Sequence, residues 1–165
     1  FKSSISAVAQ TLINNNIDLV GFQEIDFHSQ KSHDVDQFQV LKEKTQMVGE
    51  KLVCWDVKFL PFPYLKPWGR VNSGGAVLSK FPLKNKDCVL FDAPKNMWFL
   101  KRKFYLKRYI QIIELTINEK VEYLFNVHLE AFDFEAKKEQ FHELRRLITK
   151  YQPLVVMGDF NTLPL

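Results

Sequence analysis

The sequence predicts a layered α/β protein with sheet inside and helices outside. Three observations carry that prediction: apolar residues recur at helical spacing near both ends, short β-rich runs lie between them, and a helix-to-strand unit follows a hairpin. The length of 165 residues fits one domain. With 46% hydrophobic and 25% charged residues, the chain can bury a sizeable core and is not of the disordered class. No apolar run approaches the roughly 18 residues of a spanning helix, so no integral membrane segment is expected.

Ile5, Val8, Ala9, Leu12 and Ile13 mark an amphipathic helix from Lys2 to about Asn15, stopped by the Asn14-Asn15-Asn16 run. Asp18 to Gln23 follows as a short strand whose apolar centre ends in the polar pair Gln23-Glu24. The polar stretch from Asp26 to Asp34 reads as a loop, Val35 to Met47 as a helix, and Leu52 to Val57 as a strand. Between Lys58 and Arg70, Pro61, Pro63, Pro67 and Gly69 forbid regular structure and predict a surface loop. Gly74 to Ser79 and Lys86 to Phe91 are further strands. Phe104 to Thr116 and Val121 to Leu129 form an antiparallel hairpin about Ile117-Asn118-Glu119-Lys120. Phe134, Phe141, Leu144 and Ile148 mark a helix from about Asp133 to Lys150, and Leu154 to Met157 is a buried strand running into Gly158-Asp159-Phe160-Asn161.

The formal charge of +4 admits an anionic partner, whether phosphate ester, nucleic acid or acidic lipid, without selecting one. Cys54 and Cys88 sit in apolar surroundings without C-x-x-C spacing, so two buried free thiols are expected, a single disulfide being the alternative. The chain opens on Phe1, and its start gives no reading of compartment.

Three polar groups stand at the ends of apolar strands: Gln23-Glu24, Asn126-Val127-His128 and Gly158-Asp159-Phe160-Asn161. Unpartnered burial would cost a carboxylate several kcal/mol, so these residues are expected to converge on one rim of a sheet. There they offer a hard oxygen for a divalent cation, an imidazole for a phosphoryl oxygen, and an Asp and Asn two residues apart. On a strand, positions i and i+2 share a face, so Asp159 and Asn161 would address one ligand. Taken singly, each has a plainer reading: Glu24 as a cap or surface carboxylate, His128 as a hydrogen-bonded semi-buried imidazole, Asp159 and Asn161 as turn residues. His28 and His33 follow Glu24 on a loop that either touches substrate or is solvated, and His142 lies on a charged helix surface.

The order of four blocks, Asp18 to Glu24 (DLVGFQE), Ser73 to Pro82 (SGGAVLSKFP), Asn126 to Leu129 (NVHL) and Gly158 to Asn161 (GDFN), resembles the endonuclease/exonuclease/phosphatase superfamily, and Gln23 to Gln37 resembles its bacterial-type members. The resemblance implies a DNase I-like four-layer α/β/β/α sandwich and metal-dependent hydrolysis of a phosphate ester. Carried over by residue, it implies Glu24 as the principal Mg²⁺ ligand, with Mn²⁺ as a substitute. Asp159 would orient or deprotonate the attacking water, Asn161 would hold a phosphate oxygen or support the metal, and His128 would stabilise charge on phosphorus. Such members normally begin with an Asn-bearing strand and end with an Asp-His pair. Residues 1–165 therefore read as one domain lacking its first strand and C-terminal strands. A silent binding domain for phosphorylated ligand, nucleic acid or membrane is the alternative to an enzyme. Within the family pattern, a small polar residue is replaced by Gly75 and an Arg by Lys137.

The implied substrates are nucleic acid, phospholipid or inositol phosphate. Lys101, Arg102, Lys103, Lys107 and Arg108, interleaved with Trp98, Phe99, Phe104, Tyr105 and Tyr109, form the densest basic aromatic stretch. It fits a stacking surface for nucleic acid, a patch for anionic lipid, or a strand pair with aromatics inward and lysines in water.

Overall fold

The computed structural model describes residues 2–162. Helix α1 (Lys2–Asn14) leads into strand β1 (Leu19–Asp26), a 3-10 turn (Gln30–Ser32) and α2 (Gln37–Thr45). Strands β2 (Val48–Leu60), β3 (Gly69–Ser79) and β4 (Leu83–Phe91) come next, then the short α3 (Phe99–Lys103). The chain continues through β5 (Arg108–Ile117), β6 (Lys120–His128), α4 (Phe134–Tyr151) and β7 (Val155–Asp159). One antiparallel sheet has the order β1-β3-β2 and the other β4-β5-β6-β7, where β6 and β7 pair in parallel across the α4 crossover.

Side chains alternate faces along a strand, and here the alternation separates three apolar layers. Ala76 and Leu78 join Ile25, Phe27, Phe38 and Leu41 beneath α1 and α2. Their neighbour Val77 points the other way, meeting Ile113, Leu115 and Leu124 between the sheets. Ile110, Ile112, Phe125 and Val127 pack under Leu144 and Leu147 of α4. Helices, sheet, sheet and helix therefore form the four-layer α/β/β/α sandwich. Asp36 caps α2 by accepting from the Gln39 N–H, and Asp133 caps α4 by accepting from the Ala136 N–H, each filling one of the bonds that a helix start leaves open.

Several boundaries move from their sequence positions. The strand expected over Leu52 to Val57 runs from Val48 to Leu60, because β2 keeps its ladder with β3 through the polar Glu50 and Lys51 at one end and out to Leu60 paired with Gly69 at the other. Consequently only the centre of the expected 58–70 loop is irregular. The strand expected from Phe104 starts at Arg108, preceded by α3, and the second helix begins at Gln37 rather than Val35. The hairpin holds: Ile117 pairs with Lys120, with Asn118 and Glu119 both at positive φ, as a two-residue turn between twisted strands requires. Neither cysteine is bonded, and Cys88 is exposed rather than buried because β4 is an edge strand.

Candidate functional site

The gap between the sheets is apolar at one end and turns polar strand by strand toward the other. On β6 the inward positions read Leu124, Asn126, His128; on β5, Ile113, Gln111, Tyr109; on β7, Val155, Met157, Asp159. Asn126 is fully buried and its amide is fully used. It accepts from Gln23 at 2.7 Å and donates to Gln111 at 3.1 Å and to the carbonyls of Phe22 and Ala76 at 3.3 Å. Gln111 passes the chain to Asn85 and Asn85 to Glu50, so amides lace β1, β6, β5, β4 and β2 together. Two glycines make room for it. A Cβ on Gly21 would lie 2.8 Å from Asn126 Oδ1, and one on Gly75 would run into the Tyr109 phenol. The Gly75 departure from the family pattern is thus matched by a bulky partner across the gap.

Beyond these amides the strands end in Glu24, His128 and Asp159. Regular alternation after the inward Gln23 would turn Glu24 toward the helices. Instead the β1–β3 register shifts between Phe22 and Ile25 and Glu24 takes φ +55°. A bulge of this kind re-aims a side chain at a site, and the unusual φ is held by the pairing on either side. As a result the Glu24 carboxylate lies 3.8 Å and the Asp159 carboxylate 3.9 Å from His128 Nε2. Asp159 arrives there because β7 pairs it with His128. Both carboxylates are about half exposed, while the imidazole is 3% exposed.

Burial, then the adjacent Arg108 guanidinium, pushes the His128 imidazole down to about 4, against the pull of Asp159 and Glu130. His128 is therefore neutral near pH 7, with Arg108 Nη1 2.5 Å from its Nε2. The positive charge at the centre belongs to Arg108, which is 7% exposed. Its Nε finds no hydrogen-bond partner among the described residues, although Glu130 stands 3.8 Å away. Glu130 is held below the ordinary carboxylate range. Its burial opposes ionisation, but the Tyr105 hydroxyl, the Phe132 N–H and the Arg108 charge outweigh it.

Asn161 is near but not arranged as a strand residue. β7 ends at Asp159, and Asn161 has φ +50°, with its N–H on Asp159 Oδ1 and its side-chain amide on the Leu129 carbonyl, both at 2.8 Å. The shared-face argument therefore fails, and Asn161 joins the site by tying the loop after β7 to the end of β6. Lys137 donates to the Asn161 carbonyl at 2.8 Å, so it fastens this loop where the family pattern has Arg. His28 turns to the Asp34 carbonyl at 3.1 Å and His33 occupies the left-handed position after the 3-10 turn, so both belong to a fastened loop. His142 is exposed, as expected.

The basic aromatic stretch divides. Arg108 and Tyr109 point inward and Tyr105 binds Glu130, whereas Trp98, Phe99, Lys101, Arg102 and Lys103 remain exposed. Arg108, Glu130 and Asn126 are the site residues that sequence patterning left unassigned. Asn126 and Glu130 stand two residues on either side of His128, and that spacing was the available signal; Arg108, next to the inward Tyr109, gave none.

Residues 2–164 match the family model described as Endonuclease/Exonuclease/phosphatase family. The chain belongs to that family. Among solved structures, it is similar to truncated Caenorhabditis elegans TDP2 at 23% identity and TM-score 0.58, over 98% of this chain and 56% of that one. It is similar to the endonuclease/exonuclease/phosphatase from Bacteroides vulgatus at 18% identity and TM-score 0.60, over 96% and 57%. The human Nocturnin catalytic domain with bound sulfate anion is similar at 15% identity and TM-score 0.58, over 99% and 58%. The chain thus spans little more than half the length of these solved chains. No curated protein matches it.

The donor set fits a hard divalent cation. Among the described residues no three His, Cys, Asp or Glu side chains cluster closely enough to hold a metal by themselves. Mg²⁺ does not need such a cage, because it keeps several waters and takes one or two carboxylates, and Glu24 and Asp159 are oxygen donors open to solvent.

Proposed function

We propose that this member of a phosphoesterase family is a Mg²⁺-dependent phosphodiesterase, with Mn²⁺ as a substitute metal. The observation that carries the reading is the convergence of Glu24 and Asp159 within 4 Å of one buried imidazole nitrogen. Glu24 would hold the metal, which when bound withdraws electron density from phosphorus and stabilises the leaving oxygen. Asp159 accepts the proton of the attacking water. The Asn161 loop keeps Asp159 in place, since the Asn161 N–H bonds its carboxylate. His128, neutral and accepting at Nε2 from the Arg108 guanidinium, would orient Arg108, whose fixed positive charge serves the phosphoryl oxygens in the transition state.

The test is hydrolysis of a soluble aryl phosphodiester by the purified full-length protein, with Mg²⁺ and then with excess chelator. Activity that collapses with chelator and returns with Mg²⁺ is expected. Activity indifferent to chelator overturns the metal role. Binding of phosphate-bearing ligand with no turnover under any divalent cation would make the chain a binding domain instead.

A further inference from the structure

We propose that the surface formed by residues 58–68 and 95–104 is a docking face for an anionic phospholipid bilayer. The first argument is exposure. In the 58–68 loop Tyr64 is 90% and Leu65 95% exposed, and at the start of α3 Trp98 is 60% and Phe99 67% exposed. A soluble surface seldom concentrates large apolar side chains in this way without a partner for them. The two segments are joined by a groove of about 440 Å³ walled by Leu60, Phe62, Trp68, Leu100 and Phe104. Trp68 stacks edge-on against both Trp55 and Phe62, so the wall is rigid and aromatic.

Charge names the partner. Segments 58–68 and 95–103 contain Lys58, Lys66, Lys95, Lys101, Arg102 and Lys103 and not one acidic residue. The whole chain carries +4, so these two segments carry +6 and everything else −2. The excess of basic residues thus lies in these two segments, of which Lys95 and Arg102 also border Asp92, Asp133, Glu135 and Glu139 on the far side of α3. Aromatic side chains with basic residues around them are what an interface between hydrocarbon and anionic headgroups accepts, each Lys or Arg adding attraction near the charged surface. Single-stranded nucleic acid would share the basic residues. A nucleobase, however, brings edge donors and acceptors, and the groove's remaining polar side-chain groups are donors only, the Lys101 ammonium and the Trp68 indole N–H, because the Trp55 indole N–H already donates to the Phe104 carbonyl at 3.1 Å. Hydrocarbon requires no such answer.

Position ties the face to the site. From α3 the chain passes through Phe104 and Tyr105, whose hydroxyl bonds Glu130, to Arg108 beside His128. On the far side of α3, Asn96 donates to Asp133 at 2.8 Å, bringing up the loop that exposes Phe132 at 93% and Phe134 at 74%. Docking would hold the rim of the sandwich against the headgroups. That the site then meets lipid-borne phosphate esters rests on the hydrolase reading, whereas docking itself does not.

The experiment is flotation of the full-length protein with phosphatidylcholine vesicles, and with vesicles in which about a third of the lipid is phosphatidylserine. Expected are binding to the anionic vesicles only, a blue shift of Trp emission, and at least about a tenfold loss of binding in Lys101→Glu/Arg102→Glu and in Tyr64→Ser/Leu65→Ser, both with unchanged thermal midpoints. Equal binding to neutral and anionic vesicles, wild-type binding by both double variants, or absence of vesicle binding with retention of a single-stranded oligonucleotide overturns the proposal. Glu24→Gln separates the two readings. Vesicle binding retained by an inactive Glu24→Gln protein supports both, while hydrolysis of a soluble phosphodiester without any vesicle binding sinks the docking face alone.

Discussion

Two sets of polar side chains stand on the same strands a few residues apart, and their partners differ. Gln23, Asn126, Gln111 and Asn85 form an amide chain across the gap between the sheets, with Asn126 at its centre bonded on every side. Glu24 and Asp159, at the ends of the same layer, face a neutral imidazole at 3.8 and 3.9 Å and open to solvent. Buried polar groups that bond only one another rigidify a fold. Carboxylates gathered without a compensating cation of their own are available to a ligand. With the proposed function, the contrast gives scaffold to the amides and chemistry to the carboxylates, and it makes opposite predictions for substitution in the two sets.

The largest effect belongs to the carboxylates. Glu24→Gln keeps the shape and removes the charge, and should lower phosphodiester hydrolysis by about 10²–10³-fold or more. Because the side chain is 58% exposed, stability should stay within about 0.5 kcal/mol of the parent. A combined loss of activity and several degrees of thermal midpoint would show that Glu24 is scaffold after all.

The converse variant is Asn126→Ala. It leaves Gln23 and Gln111 without their partner and opens a void between the sheets, so a loss of about 2–4 kcal/mol is expected from denaturant unfolding. Unchanged unfolding would remove the amide chain from any structural role.

This division also explains what the sequence made legible. The four strand-end blocks were readable because each is a compact run, whereas the apolar layers were not separable, because β3, β5 and β6 are buried on both faces over most of their length and show no alternation. Asn126 looked like part of a block, yet its function depends on Gln111 and Phe22, far away in the chain. Arg108 was hidden in a run of lysines, and only the start of β5 at that residue turns it inward beside His128. The aim of Glu24 depends on a bulge, which no hydrophobic period announces. Asn161 was misread for the opposite reason: strand periodicity was extended past Asp159, where β7 stops.

Glu130 lies between the two sets, a buried carboxylate that does have its cation and donors. Its folded-state value is lowered from the ordinary 4.5, so its stabilisation is complete above that value and is lost as pH falls through the lowered one. Stability of the parent should therefore drop as pH falls below about 4.5. In Glu130→Gln this part of the acid loss should vanish, at a cost near neutral pH of about 1–3 kcal/mol for the weakened bonds to Tyr105 and the Phe132 N–H. Parallel pH profiles for parent and variant would mean that the carboxylate is not ionised in the fold.

The smallest effect concerns the thiols, which report on the same division between interior and edge. Cys54 is 7% exposed, and burial, only partly opposed by Arg108, pushes its thiol up to about 12. Cys88 is exposed on β4; burial and the Asp87 charge raise its value too, but far less of it is shielded. Since the thiolate is the reacting form, a disulfide reagent near pH 8 should modify one thiol per native chain, more slowly than free cysteine, and the second only on unfolding. Cys88→Ser should abolish the first reaction without changing stability or hydrolysis. A thiol that still reacts in native Cys88→Ser would place Cys54 within reach of solvent, against its burial beside Tyr109 and Arg108.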